Sequence, residues 1–259
     1  MLVSVLGTHA TANALEKPDP TISARAPSAV VALFDERVST AVGDQFCSGV
    51  LVRDAWVLTA AHCVADQPDG GKLSVGFWIA GRRELVRVRA SYYPKWFRME
   101  SFGNGDIALL HLVRSVPGAR PIPIGVSSQD EAQFVYGYGT SSATSVVERP
   151  LGARVKVRNR FEEEHFGIDP VRQIAASVVS TDFVIVLDGS PSYREKLIEG
   201  VCSGDSGGPL LGARATDGRL VVIGIVSYGE EPCWAETPGV YTRVRAYQNW
   251  INETIEAKK

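Results

Sequence analysis

Gly204-Asp205-Ser206-Gly207-Gly208-Pro209 is the stretch on which the reading of this chain turns. It sets one hydroxyl on a loop whose neighbours carry almost no side chain. A serine hydroxyl is nearly inert in water at neutral pH. It becomes a nucleophile when an imidazole takes its proton and a carboxylate fixes the tautomer of that imidazole. Working outward, Asp106-Ile107-Ala108-Leu109-Leu110 supplies a carboxylate and Thr59-Ala60-Ala61-His62-Cys63 an imidazole. Each has an ordinary reading alone: His62 as a structural histidine, Asp106 as a turn residue after Gly105. Their joint presence in this order carries the argument.

In the order His62, Asp106, Ser206, these segments resemble the trypsin/chymotrypsin family of serine peptidases; subtilisins and α/β-hydrolases place the same groups in other orders. Residues 204–208 also contain a Gly-x-Ser-x-Gly pattern. In an α/β-hydrolase the histidine follows the serine, and here no histidine follows Ser206. The resemblance covers about Ala29 to Ile255. It implies an all-β fold of two packed six-stranded antiparallel barrels with a C-terminal α-helix, the site lying between the barrels. The first barrel is expected at about 29–125 and the second barrel with the helix at about 126–259, with Arg120-Pro121-Ile122-Pro123 at the crossover. Residues 1–28 would be an N-terminal extension, a signal or pro-segment.

The chemistry assigns a role to each group. Ser206 attacks a scissile carbonyl, His62 takes the hydroxyl proton and returns one to the leaving amine, and Asp106 orients the ring. Gly204, without a Cβ, lets its N–H turn with that of Ser206 toward the developing oxyanion. The resemblance implies more. Ser227-Tyr228-Gly229 looks like the edge on which a substrate peptide adds as a strand, with Ser227 also bonding Asp106. Gly200, followed by Val201, falls at the pocket floor, and Gly229 and Gly239 at its walls. An open, uncharged pocket of this kind favours large apolar or aromatic residues before the cleaved bond; Glu199 swinging to the floor would favour basic ones instead. The cysteines are implied to pair as Cys47–Cys63 and Cys202–Cys233, one of three connectivities open to four cysteines.

One part of the family pattern is missing. Members are usually activated by cleavage that frees an Ile-Val-Gly-Gly-type terminus, whose ammonium pairs with the aspartate before the serine, here Asp205. No such tetrapeptide occurs, and Ile22 in Pro20-Thr21-Ile22-Ser23-Ala24-Arg25 is the nearest candidate. A second reading follows, a latent or non-catalytic homologue that binds proteins through the same cleft; an esterase or acyltransferase using the same groups is a third.

Short runs rich in β-branched and aromatic residues, broken by Gly, Pro, Asn and Asp, predict strands. They fall at Ala29–Phe34, Ser48–Val52, Trp56–Thr59, Leu73–Ile79, Glu84–Ala90, Ile107–Leu112, Phe134–Tyr138, Arg154–Arg158, Phe183–Leu187, Leu220–Ser227 and Gly239–Val244. Tyr247, Trp250, Ile251, Thr254 and Ile255 recur at helical spacing and predict an amphipathic helix docked on the second lobe. Asn252-Glu253-Thr254 matches an N-glycosylation sequon but reads as a helix-surface asparagine. Glu162-Glu163-Glu164-His165 reads as a surface loop, and Asp66-Gln67-Pro68-Asp69 as an acidic turn; no metal or cofactor is expected.

A net charge of −2 gives no electrostatic basis for nucleic acid or anionic membrane. No apolar run approaches the ~20 residues of a membrane span. The expected partners are protein or peptide substrates, with an activating protease or a protein inhibitor besides. Ala10-Thr11-Ala12 and Ala12-Asn13-Ala14 fit small-x-small cleavage sites after a short apolar start. With the paired cysteines, they point to a secreted or periplasmic protein.

Overall fold

The computed structural model describes residues 20–67, 72–99, 105–127, 133–139, 151–155, 157–158, 184–187, 201, 203–228 and 240–258. After a short helix, α1 (Pro20–Ser23), six strands follow: β1 (Val30–Asp35), β2 (Cys47–Arg53), β3 (Trp56–Thr59), β4 (Leu73–Ile79), β5 (Arg82–Tyr92) and β6 (Ala108–Leu112). They close into an antiparallel barrel in the order β1-β2-β3-β6-β5-β4. Closure removes every edge; β1 and β4 are also buried on both faces along nearly their whole length, so they carry no alternating polar face. The longer β5 instead alternates toward its end, with Val86 and Val88 inward and Arg87 and Arg89 outward. Bulges at Leu51/Arg53 and Val88/Ala90 supply the bending that closure requires.

The second lobe holds β7 (Gln133–Gly137), β8 (Leu151–Val155), β9 (Val157–Arg158), β10 (Val184–Leu187), β11 (Pro209–Ala213), β12 (Leu220–Tyr228) and β13 (Val240–Arg243). They form a seven-stranded sheet in the order β8-β7-β11-β12-β13-β10-β9. The two outermost strands are separated in sequence by Lys156 alone. The sheet therefore begins and ends on neighbouring stretches of the chain. The run expected as a single strand at Arg154–Arg158 falls across β8 and β9.

One strand is not among the sequence expectations. Residues Pro209–Ala213 form β11 at the middle of the second sheet, between β7 and β12. Proline is tolerated there because it is the first residue of the strand. A Pro-Leu-Leu-Gly-Ala run leaving a glycine-rich loop has neither the alternation nor the β-branched content that marks a strand.

A 3₁₀ turn (Val244–Tyr247) leads into α2 (Gln248–Ala257), so the expected terminal helix is present. Its buried face is Ile251 and Ile255, each worth about 1.5–3 kcal/mol on leaving water. Its contacts differ from expectation, because they reach the first barrel. Arg53 pairs with Glu256 at 3.7 Å, Lys258 Nζ stands 5.6 Å over the Tyr92 ring, and Ile251 and Ile255 belong to the apolar cluster built on the first barrel. The helix straps the C-terminus of the second lobe across the first. Asn252 is exposed and accepts from Gln248 Nε2 at 3.3 Å, as a helix-surface asparagine would.

Candidate active site

The barrel register brings the first two groups together. Thr59, at the end of β3, pairs with Ala108, at the start of β6. His62 lies three residues beyond that pair and Asp106 two before it, so both leave the same end of the barrel. The Cys47–Cys63 disulfide, formed as expected, ties the His62 turn to the first residue of β2.

Asp106 is fully buried, a costly position for a carboxylate unless donors surround it. Its Oδ1 accepts the His62 backbone N–H at 2.9 Å, and its Oδ2 lies 2.9 Å from His62 Nδ1 and accepts the Ser227 hydroxyl at 2.5 Å. Charge-assisted bonds of this kind are roughly twice as strong as neutral ones. They also decide the ring's chemistry. With Nδ1 donating to the carboxylate, a neutral imidazole carries its lone pair on Nε2, the nitrogen able to accept a proton. The second lobe holds the backbone of the same loop, since Thr242 Oγ1 donates to the Asp106 carbonyl and the Gly105 N–H donates to the Tyr247 hydroxyl, both at 2.8 Å.

The loop of Ser206 enters from the second lobe, just before β11. Gly204 sits at φ +94°, and a Cβ there would come within 2.8 Å of the Gly139 Cα, so glycine is required twice over. Gly207, at φ +80°, touches the first barrel: a Cβ would lie 2.1 Å from Thr59 Oγ1 and 2.3 Å from the Ser48 carbonyl oxygen. The Ser206 carbonyl accepts the Ser48 N–H at 2.7 Å and lies 3.8 Å from Cys63 Sγ, the sulfur that is itself 3.7 Å from His62 Nε2. Ser206 and His62 thus flank one sulfur of the disulfide. Asp205 is fully buried against Gly137 and Gly139, and its Oδ1 accepts the Gly139 N–H at 2.9 Å. Ile22, the candidate for a freed terminus, lies within α1, which packs on β8.

Among the residues expected to bind substrate, Ser227 and Tyr228 end β12 beside Asp106. Burial first, and then the charge of Asp106, push the Tyr228 phenol up to about 12. Val201 packs in the second lobe's apolar cluster with Val135, Leu210 and Tyr241. Gly200, Gly229, Gly239 and the Cys202–Cys233 pair lie outside the described residues, as do Glu199 and the Glu162–His165 run. Cys47, His62 and Cys63 crowd within 4.8 Å, but the two sulfurs are bonded to each other and neither is the thiolate a metal would need. Sequence reasoning missed Ser48, Thr242 and Tyr247, whose hydroxyls all bind backbone groups of the loops just described.

The family described as Trypsin matches residues 27–251, and the chain belongs to the trypsin family of serine proteases. CLIP domain-containing serine protease HP8 of Bombyx mori is 30% identical over 244 residues, covering 82% of this chain and 62% of that protein. Lectizyme of Glossina austeni is 28% identical over 229 residues, covering 82% of this chain and 78% of its own. Among solved structures, the secreted serine protease VesC from Vibrio cholerae superposes with a TM-score of 0.67 at 26% identity, over 88% of this chain and 46% of the other. The chain therefore spans less than two thirds of the silkworm protein and less than half of the VesC chain.

Proposed function

We propose that this chain is a serine endopeptidase that hydrolyses peptide bonds through an acyl-enzyme on Ser206. The observation that carries the reading is the buried Asp106 carboxylate, bonded to His62 Nδ1 so that Nε2 is left to accept a proton. The Ser206 oxygen attacks the scissile carbonyl carbon while its proton passes to His62 Nε2. The carbonyl oxygen takes the negative charge, facing the N–H groups of Gly204 and Ser206, donors worth about 3–4 kcal/mol each in such sites. The C–N bond then breaks, and His62 gives its proton to the leaving amine. Water enters, loses a proton to His62 and attacks the ester; collapse returns that proton to Ser206 and releases the acid. Asp205, buried on the Gly139 N–H, props the loop on which Ser206 stands.

Gly200, Val201, Gly229 and Gly239 are assigned to an open, uncharged pocket, and Ser227 with Tyr228 and Gly229 to the edge that receives the peptide as a strand. Large apolar or aromatic residues before the cleaved bond follow from that assignment. We place the peptidase domain at 29–259 and assign 1–28 to an N-terminal extension, a signal or pro-segment. The substrates are proteins or peptides. No helix among the described residues is long and apolar enough to cross a membrane, and secretion, as in VesC, is the proposed location.

The test is hydrolysis of matched peptide amides by the purified chain, beside Ser206→Ala. Phenylalanyl, tyrosyl, leucyl and methionyl substrates are expected to outrun arginyl ones in kcat/KM, and Ser206→Ala to lose about 10⁶ in kcat. Faster arginyl cleavage would refute the pocket assignment; equal turnover by Ser206→Ala would refute the mechanism.

A further inference from the structure

We propose that the Ser48 hydroxyl is a positioning residue for the oxyanion-binding loop, an inference that rests on the peptidase reading above. Ser48 is the second residue of β2, on the first barrel, and is fully buried. Its Oγ donates to the carbonyl of Gly204 at 2.7 Å and accepts the N–H of Tyr138 at 2.8 Å. One hydroxyl thereby ties together two segments of the second lobe that lie on either side of the Asp205 carboxylate. The Ser48 backbone is committed as well: its N–H donates to the Ser206 carbonyl at 2.7 Å, and its carbonyl accepts the Thr59 hydroxyl at 2.7 Å. Every polar group of Ser48 is used within the site's framework.

The Gly204 bond gives the hydroxyl a functional consequence. Gly204 is at φ +94°, and with no side chain to restrict it, its peptide planes can rotate unless something holds them. Gripping the carbonyl fixes the Gly204–Asp205 plane and so, across the φ and ψ of Gly204, restricts the direction of the Gly204 N–H assigned to the oxyanion. Preorganised donors stabilise the transition state because they need not reorient as charge develops. Ser48 follows Cys47, whose disulfide partner is next to His62. The start of β2 therefore holds the base on one side and the oxyanion donor on the other. Ser227, Thr242 and Tyr247 perform the reverse service, holding the Asp106 loop of the first barrel from the second lobe.

The experiment compares wild type, Ser48→Ala and Ser48→Thr in the full chain, each normalised to active sites counted by burst titration, well below its melting temperature. Ser48→Ala is expected to lose about 10- to 100-fold in kcat, with KM within about threefold and a matching loss of affinity for a peptide aldehyde that mimics the oxyanion. Ser48→Thr, which keeps the hydroxyl, is expected to stay within about threefold of wild type in kcat. A purely structural role would lower the melting temperature of Ser48→Ala and leave kcat per active site unchanged; that result, or equal losses in Ser48→Ala and Ser48→Thr, overturns the proposal. Should Ser48→Ala fail to fold, hydrogen exchange in the wild type decides. The Tyr138 amide is expected to exchange only through global unfolding, and exchange within seconds at neutral pH overturns the proposal. A wild type that neither turns over nor takes a fluorophosphonate adduct refutes the peptidase reading itself. A wild type and Ser48→Ala labelled at equal rates refute the positioning role alone.

Discussion

Replacing Asp106 by asparagine exchanges one carboxylate oxygen for an NH2 group and changes little shape, yet every partner of the carboxylate is a donor. Oδ1 receives the His62 N–H, and Oδ2 receives both His62 Nδ1 and the Ser227 hydroxyl. The amide nitrogen must take one of these positions. Placed toward Oδ1, it faces a backbone N–H at 2.9 Å and leaves two buried donors opposed, at about 1–3 kcal/mol for each unsatisfied group. Placed toward Oδ2, it donates to Nδ1, and the ring proton moves to Nε2, so the nitrogen that should accept the Ser206 proton already carries one. The second arrangement keeps the His62 N–H paired, gives the amide's other N–H to the Ser227 oxygen, whose own proton must turn away, and disables the base. Asp106→Asn is therefore expected to fold with a melting temperature near that of wild type and to lose about 10⁴ in kcat, or about 5.5 kcal/mol of transition-state stabilisation. The assay is pre-steady-state and steady-state hydrolysis of one peptide amide at neutral pH, with melting followed in parallel. A loss below about tenfold in a folded variant would refute the tautomer argument.

Three further outcomes follow from the same contacts. Ser227→Ala removes one charge-assisted donor from Asp106, worth about 1.5–3 kcal/mol, and is expected to lower both stability and kcat/KM; a variant equal to wild type in urea melts and in turnover would mean the 2.5 Å contact contributes nothing. Gly207→Ala puts a methyl 2.1 Å from Thr59 Oγ1 at a positive φ, combining about 1–2 kcal/mol of backbone strain with about 1–3 of overpacking; thermal melting is expected to fall by at least about 5 °C, and an unchanged melting temperature would contradict the close approach of the two lobes. Asp35, held to about 2 by hydrogen bonds chiefly from the Arg37 guanidinium and also from Gln67, has a folded value below its unfolded one. Its contribution is present above about pH 4 and is lost as the pH falls toward 2, so the stability gap between wild type and Asp35→Asn in urea melts is expected to narrow over that range; a constant gap would refute the assignment.

What could be read from sequence divides along a physical line. His62, Asp106 and Ser206 stood out in the sequence because the proposed reaction uses those side-chain types, and β3 and β4 were legible because their β-branched and aromatic runs suit a closed barrel. The meeting of His62 with Asp106 follows from the Thr59–Ala108 register, which no local pattern encodes. Ser48, Thr242 and Tyr247 were illegible for the same reason. Their hydroxyls bond to backbone groups 156, 136 and 142 positions away, and an isolated serine, threonine or tyrosine carries no mark of such a partner. β11 was hidden by its proline and glycine, and the docking side of α2, though not the helix itself, by a second contact surface, the first barrel, that its periodicity cannot name. The Gly200, Gly229 and Gly239 pocket rests on spacing and resemblance alone.

Fluorophosphonate labelling of the intact chain shows most directly whether Ser206 is an activated nucleophile. A single adduct by intact mass, mapped by peptide sequencing to Ser206 and absent from both Ser206→Ala and His62→Ala, is the predicted result. No adduct on folded wild-type protein, or an adduct that persists in Ser206→Ala, would contradict it.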